Sequence, residues 1–418
     1  MTRLTNWAGN VSYSTSTLQQ PSSLDELRTL VAGNRQVRVL GTGHSFNQIA
    51  DCAAGGLLVS LGRLPRVVDL DQAAGTVTVG GGVRYGELAV ALAANGPALA
   101  NLGSLPHISV AGACATGTHG SGDGNRVLAD AVEACTLLTA DGSLVRLDRT
   151  EPDFAGTVIG LGSLGVVLDL TLRLVEGYQL HQYVYQDLPL STLAEQFDAI
   201  VGAGYSVSLF TGWQQDRIDQ VWVKSVTPRS AGEPFFGARP AQGPLHPVPG
   251  GDPAHTTQQL GVPGPWHQRL PHFRLEFTPS SGDEIQSEYF VGRQHAVAAI
   301  EAVHGLAGRL APVLQVAEIR TVAADRLWLS PCYRTDRVAL HFTWIDDLAR
   351  VRPVVRELEA RLADFDAVPH WAKLFELEPA RLAALHPRLA DFGALARRFD
   401  PAGKFGNAWT RRYLPELS

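Results

Sequence analysis

The chain has 418 residues, 45% of them apolar and 18% charged, with a net charge of −6; that length suits two domains and that mix a water-soluble globular protein. No Lys/Arg-dense run offers the counterion-displacing stripe of a nucleic-acid binder, and neither GxSxG nor HExxH occurs, so nucleic acid, nucleophile-elbow hydrolysis and zincin chemistry are excluded and no metal site is expected. The four cysteines, Cys52, Cys114, Cys135 and Cys332, are scattered and read as free thiols of a reducing cytoplasm rather than a disulfide frame.

The opening Met1-Thr-Arg-Leu-Thr-Asn-Trp7 lacks the apolar core of a signal peptide, so no secretion is expected and the location is read as cytoplasmic. Residues 23–33 carry a serine cap, helical apolar spacing and a closing glycine, which predicts a helix. It leads through Val37-Arg-Val-Leu40 into a first glycine loop, Gly41-Thr-Gly-His-Ser-Phe-Asn47. Strands follow at 57–61, 67–70 and 76–79, then Val79-Gly-Gly-Gly-Val-Arg-Tyr-Gly-Glu-Leu88 and a helix over 84–94. The stretch Gly103–Gly122 holds five glycines, its two ends included, among serines, threonines and a helix start, and presents backbone N–H groups to an anion with no bulky side chain in the way. Asp141-Gly142 predicts a hairpin joining 133–139 to 143–147.

Gly160-Leu-Gly162-Ser-Leu-Gly165 matches the GxGxxG dinucleotide fingerprint, but that motif works between a strand and a following helix. Here a helical stretch precedes it and the strand-like run Val166–Leu174 follows, so a nicotinamide-type site is not expected. The most apolar long run, 158–175, contains Asp169 and Arg173 and does not read as a membrane span. After about residue 178 the character changes to long β-type runs at 180–186, 206–213, 220–226, 284–291, 314–322 and 338–345, with amphipathic helices near 293–308 and 347–363. A proline- and glycine-rich loop over 227–265 is too long for a simple connection and reads as a lid, a rim or a subunit contact. The last forty or so residues turn helical again.

Two strands alternate polar and apolar residues. Glu318 and Arg320 share one face of 316–322; His341 and Thr343 share one face of 340–344, opposite Leu340, Phe342 and Trp344. On its own, either pattern describes a solvated outer face. Lys373, in His370-Trp371-Ala372-Lys373, strengthens the functional reading, because only Lys224, Lys373 and Lys404 represent lysine among 35 basic residues.

The loops at 38–47, 79–88 and 103–122, in that order and spacing, resemble the FAD-binding half of the vanillyl-alcohol oxidase superfamily, most closely its alditol oxidase branch. Val262–Arg274, 276–282, Glu318-x-Arg320, His370-Trp-x-Lys373 and Asp400–Trp409 extend the resemblance over nearly the whole chain. It implies an α+β, two-domain FAD-linked oxidase fold of the vanillyl-alcohol oxidase / p-cresol methylhydroxylase type. Residues 1–177 would form the FAD domain, 178–375 a substrate (cap) domain with a large antiparallel sheet backed by helices, and 376–418 a return to the FAD domain. His44, which alone might be an ordinary satisfied polar side chain, stands where covalent family members tether the flavin through histidine. Gly41, Thr42, Gly43, His44, Ser45, Ser104, His107, Ser109, Gly112, Thr116, Gly117, Thr118, His119, Gly120, Gly162, Gly165, Val166 and Asn407 are the implied cofactor contacts, with Ser109 capping a helix that begins at Val110.

The implied reaction is hydride transfer from a terminal carbinol of an alditol such as xylitol or sorbitol to the flavin, with reoxidation by O₂ to hydrogen peroxide. His341 would take the hydroxyl proton, Arg320 and Lys373 would stabilise the alkoxide, and Ser104, Glu318, Thr343, Arg320 and Lys373 would bind the polyol; Lys373 is the other candidate base. Gly103 would leave room for O₂. The alternatives are an aldonolactone (L-gulono- or galactono-1,4-lactone) oxidase or dehydrogenase and a carbohydrate-binding protein without catalysis. No nucleic-acid or membrane partner is expected, and the chain is read as a monomer or weak oligomer.

Overall fold

The structure, a computed structural model, describes residues 4–230, 232–277 and 283–414; residues 278–282 of the 276–282 motif and residues 1–3 of the opening segment lie outside them. The serine-capped segment forms the helix Leu24–Gly33, with the Ser23 hydroxyl accepting from the Glu26 N–H. Its Leu27 and Val31 pack on the short parallel strands Val37–Val39 and Leu57–Val59. Beside them runs a five-stranded sheet in the order Val68–Asp71, Thr76–Gly80, Val166–Arg173, Val132–Leu138, Leu144–Asp148, every neighbouring pair antiparallel. The Asp141-Gly142 hairpin closes as expected, with Gly142 at φ +84°.

The GxGxxG segment is flanked as anticipated, by the helical turn Phe154–Thr157 before it and the strand Val166–Arg173 after it. Its glycines answer a local constraint. Gly162 turns at φ +66° directly over the Arg38 guanidinium, where a Cβ would lie 3.3 Å from Nη2. Arg38 is itself buried and donates to the carbonyls of Gly162 (2.8 Å), Leu161 (3.0 Å), Phe405 (2.6 Å) and Ile49, so one side chain ties its own strand to three other stretches of backbone.

The second half builds a nine-stranded antiparallel sheet. Its long strands lie in the order Gln179–Pro189, Arg217–Ser225, Ser206–Thr211, Leu314–Val322, Arg337–Ile345, Glu284–Gly292. One face is apolar and carries the helices Leu190–Val201, Ala296–His304 and Leu348–Leu362; Phe342, Trp344 and Leu340 join that core, and Tyr289 donates to Glu359 of the last helix at 2.8 Å. The other face looks toward the first domain. The 227–265 loop adds Arg239–Pro240 and Gly264–Pro265 to the edge strand, and its His246, Pro247, Val248, Gly251, Asp252 and His255 line a cavity between the halves, which makes it a rim.

The chain then returns. Lys404 O accepts from Val37 N at 3.0 Å, Lys404 Nζ donates to Val31 O at 2.6 Å, and the fully buried Phe405 ring joins Leu27, Val31 and Val37. All four cysteines are free and buried. Among the described residues no helix is long and apolar enough to cross a membrane. Phe405→Ala is expected to cost about 3–5 kcal/mol through the cavity it leaves, a loss read as a lower urea midpoint with unchanged m-value.

Candidate active site

The cavity between the two halves encloses about 810 Å³. That is within the range for a large cofactor with its substrate. One end is walled by glycine loops. Gly41 and Gly112 both face the Ser109 hydroxyl, and a Cβ on either would stand 2.6 or 2.7 Å from its oxygen, so a side chain at either position would require the Ser109 hydroxyl to turn away. Thr42, Gly43, His44, Ser45, Thr116, Thr118, Gly162 and Gly165 continue this wall. The helix Val110–Ala115 starts where the sequence placed it, but the Ser109 side chain makes no capping bond. Its hydroxyl faces the Gly41 loop instead.

His44 stacks on Trp7, ring centroids 4.9 Å apart, and its Nδ1 lies 3.0 Å from the Thr42 hydroxyl. Burial and the nearby His107 push its imidazole down to about 4, so it is neutral and nucleophilic at pH 7. Three residues on, Asn47 reaches across the domain boundary: Nδ2 donates to the carbonyls of Trp371 and Lys373, both at 2.8 Å, while Phe46 N donates to Ala372 O at 2.7 Å. The loop bearing His44 and the backbone bearing Lys373 are therefore held together.

The other end of the cavity is the polar face of the large sheet. Antiparallel register sets Glu288 opposite His341, His341 opposite Glu318, and Glu318 opposite Phe210, in one rung across four strands. The next rung holds Gln286, Thr343 and Val316. Glu288, 1% exposed, anchors the group: Arg320 Nη2 reaches it at 2.6 Å, Lys373 Nζ at 2.8 Å, His119 Nε2 at 3.2 Å and His341 Nδ1 at 3.8 Å. Burial alone would raise this carboxyl, yet Lys373, His119 and Arg320 outweigh it and hold Glu288 well below the usual carboxylate range. Glu318 is held down likewise, by Arg320 and His272 against burial. Two carboxylates thus balance one guanidinium and one ammonium in a nearly dry site.

Lys373 also contacts His341 Nδ1, at 2.7 Å. An ammonium only donates, so that nitrogen is the acceptor, and Nε2 carries the proton it offers to Thr343 Oγ at 3.2 Å. Burial and Lys373 keep His341 well below its ordinary value, so the ring is neutral. Ser104 joins from the first domain, its hydroxyl 3.4 Å from Arg320 Nη1.

The expected substrate-side residues, Ser104, Glu318, Arg320, His341, Thr343 and Lys373, therefore all line one cavity, as do most of the cofactor-side residues. Five do not line it: His107, Gly117, Gly120, Val166 and Asn407. His107 Nε2 pairs with the Leu275 carbonyl. The Asn407 amide donates to the carbonyls of Gln48, Ile49 and Asp51 while its oxygen caps the helix Ala408–Tyr413, a splice of the C-terminal segment to the first glycine loop. Sequence reasoning passed over Glu288, His272 and His370. The first had a signal, a carboxylate just ahead of the apolar Tyr289-Phe-Val291, at the same strand parity as Glu284 and Gln286.

Residues 17–148 match a family model described as an FAD binding domain, and residues 283–413 one described as D-arabinono-1,4-lactone oxidase. An alditol oxidase of Streptomyces sp. is 52% identical over 414 residues, 99% of each chain. An L-gulono-1,4-lactone dehydrogenase of Mycobacterium tuberculosis is 28% identical over 98% of each. Among solved structures, a cholesterol oxidase from B. sterolicum superposes with a TM-score of 0.78 at 14% identity, covering 99% of this chain and 96% of that one.

Glu288→Gln leaves Arg320 and Lys373 without their shared counter-charge and is expected to cost about 3–5 kcal/mol at pH 7. Because the folded carboxyl lies below its ordinary value of 4.5, its contribution is present above that pH and fades as acid lowers the pH through the folded value. Urea titrations of wild type and variant should therefore diverge at neutral pH and converge in acid.

Proposed function

The chain belongs to the alditol oxidase family of FAD-dependent oxidoreductases, and from that premise we propose that this cavity oxidises the terminal primary alcohol of an open-chain polyol such as xylitol or sorbitol to the aldose. The observation that carries the reading is the polar rung itself: two carboxylates, a guanidinium, an ammonium, an imidazole and two hydroxyls converge on one end of a cavity whose other end is a glycine cradle. Such a set matches several adjacent hydroxyls, each of which donates and accepts.

FAD fits the cradle, where Gly41, Thr42, Gly43, Ser45, Ser109, Gly112, Thr116, Thr118, Gly162 and Gly165 would hold it and His44 would tether it covalently. When bound it supplies the two-electron acceptor that O₂ regenerates with release of hydrogen peroxide. The protein's part begins with orientation. Glu318, Thr343 and Ser104 take the distal hydroxyls, which points the terminal carbinol toward the cradle. The reacting hydroxyl enters beside Lys373 and His341, displaces the Lys373 ammonium from His341 Nδ1, the ring's one free lone pair, and gives its proton to that nitrogen while Nε2–H keeps its contact with Thr343. Lys373 and Arg320 then face the developing alkoxide, and Glu288 balances the added positive charge. Gly103 lines the cavity, and a Cβ there would sit in ordinary contact with His119 O, Thr118 Cγ2 and Ile108 Cδ1 at 3.7–3.9 Å, so the absent side chain leaves a methyl-sized gap by which O₂ would approach. A cytoplasmic setting suits four unpaired cysteines; a monomer or weak oligomer completes the reading.

The lactone alternative draws on the match of residues 283–413 to the arabinonolactone oxidase model, a segment that carries Glu288, Glu318, Arg320, His341 and Lys373. Peroxide release in air separates the two. Xylitol or sorbitol is expected to drive it and L-gulono-1,4-lactone to do so weakly; peroxide from the lactone alone would transfer the protein to that branch. For the tether, acid-precipitated wild type should retain yellow flavin in the pellet and His44→Ala should release it to the supernatant. Flavin retained in the His44→Ala pellet would place the attachment elsewhere.

A further inference from the structure

Lys224 is one of only three lysines, and the chemistry above leaves it unused. It sits on the strand Arg217–Ser225 with 1% exposure, in the rung beside Ser206, on the same sheet face as Glu318 but outside the cavity lining. Its ammonium donates to the carbonyls of Leu270 and Pro271 (3.3 Å for the latter) and to Nδ1 of His272 at 3.2 Å. Burial pushes Lys224 down to about 7, so the tautomer is set from the other side of the ring: the Glu318 carboxylate, held ionised, only accepts, so the ring's proton lies on Nε2 and Nδ1 accepts from Lys224. That atom stands 2.8 Å from Glu318 Oε1. Burial, with Lys224 alongside, pushes His272 down to about 4, in agreement with a neutral ring held in one tautomer.

The ring cannot swing away. Phe210 and Trp222 meet it edge-on, each at 5.4 Å. The backbone N–H groups of His272 and Phe273 donate to Ser104 O at 3.1 and 3.3 Å, and Thr257 N donates to the His272 carbonyl at 2.9 Å. Lys224, His272 and Glu318 thus form a row of donors that ends on a carboxylate in the cavity. Without it, Glu318 would be free to close on Arg320, whose Nε is already 3.5 Å away. A forked pair there would use up the acceptor sites and draw Arg320 from Glu288.

We propose that Lys224 and His272 are positioning residues for substrate selection: by holding one oxygen of Glu318 they keep its remaining lone pairs turned into the cavity, where only hydroxyl donors can satisfy them. This rests on the polyol reading of the site. A lactone keeps some hydroxyls, but its ring and carbonyl oxygens only accept and meet repulsion wherever one of them replaces a hydroxyl beside Glu318, so the row favours an open-chain polyol over its cyclic ester.

Steady-state peroxide release with xylitol, on wild type and on Lys224→Met, His272→Phe and His272→Gln, tests the assignment, with flavin content and thermal midpoint recorded for each. Lys224→Met and His272→Phe are expected to raise KM for xylitol by about tenfold or more, and by a larger factor than kcat falls, at unchanged flavin content. His272→Gln, whose amide can still donate to Glu318, is expected to recover most of that loss. If Lys224→Met does not fold, the Phe/Gln pair at 272 decides alone. Folded, flavin-loaded variants with wild-type KM, or equal damage from Phe and Gln, overturn the positioning role and leave the polyol reading standing; a wild type silent on xylitol overturns both.

Discussion

A carboxylate removed from water must be matched by positive charge and hydrogen bonds, or the structure that buries it does not persist. Glu288 is that carboxylate. Arg320, Lys373 and His119 converge on it from the neighbouring region of the sheet, from the segment after the strand Val368–Pro369, and from the first domain. Each of those side chains is thereby aimed, and all three line the cavity. Buried charge pairs add little net stability, so such a cluster is better understood as fixing geometry than as strengthening the fold.

Preorganisation of this kind reaches beyond the rung. Arg38 collects four carbonyls from three stretches of chain, and Asn47 ties the His44 loop to the backbone of Trp371 and Lys373. Gly122 donates to Thr321 O and Ala323 donates back to Asn125 O, stitching the glycine-rich stretch onto the strand that carries Glu318 and Arg320. The glycine loops and the polar sheet face that wall the cavity are therefore held in one register by backbone acceptors. Catalysis that depends on distances of a few tenths of an ångström needs such support.

Much of the site was legible because strand alternation is a local rule. The parity of Glu318 and Arg320, and of His341 and Thr343, put the right side chains on one face before any contact was known. Hairpin, helix start and reversed GxGxxG context were legible for the same reason, since turn chemistry and capping positions depend on a few adjacent residues. The resemblance supplied what parity does not, namely that this face meets a flavin cradle. It also carried in Asn407 and His107, whose side chains serve carbonyls away from the cavity.

The sequence by itself determined the elements, the glycines that must have no side chain, and which residues share a strand face, because each follows from interactions within a few positions along the chain. Only the tertiary structure decided that Glu288 lies opposite His341, that His272 stands between Lys224 and Glu318, and that Ser109 faces the Gly41 loop instead of capping its helix. Those facts depend on register between distant strands and on which charges a buried group finds when water is withdrawn. Long-range pairing has no signature in either partner alone, so a buried acid and its cations can be recognised as one unit only after the sheet has brought them together.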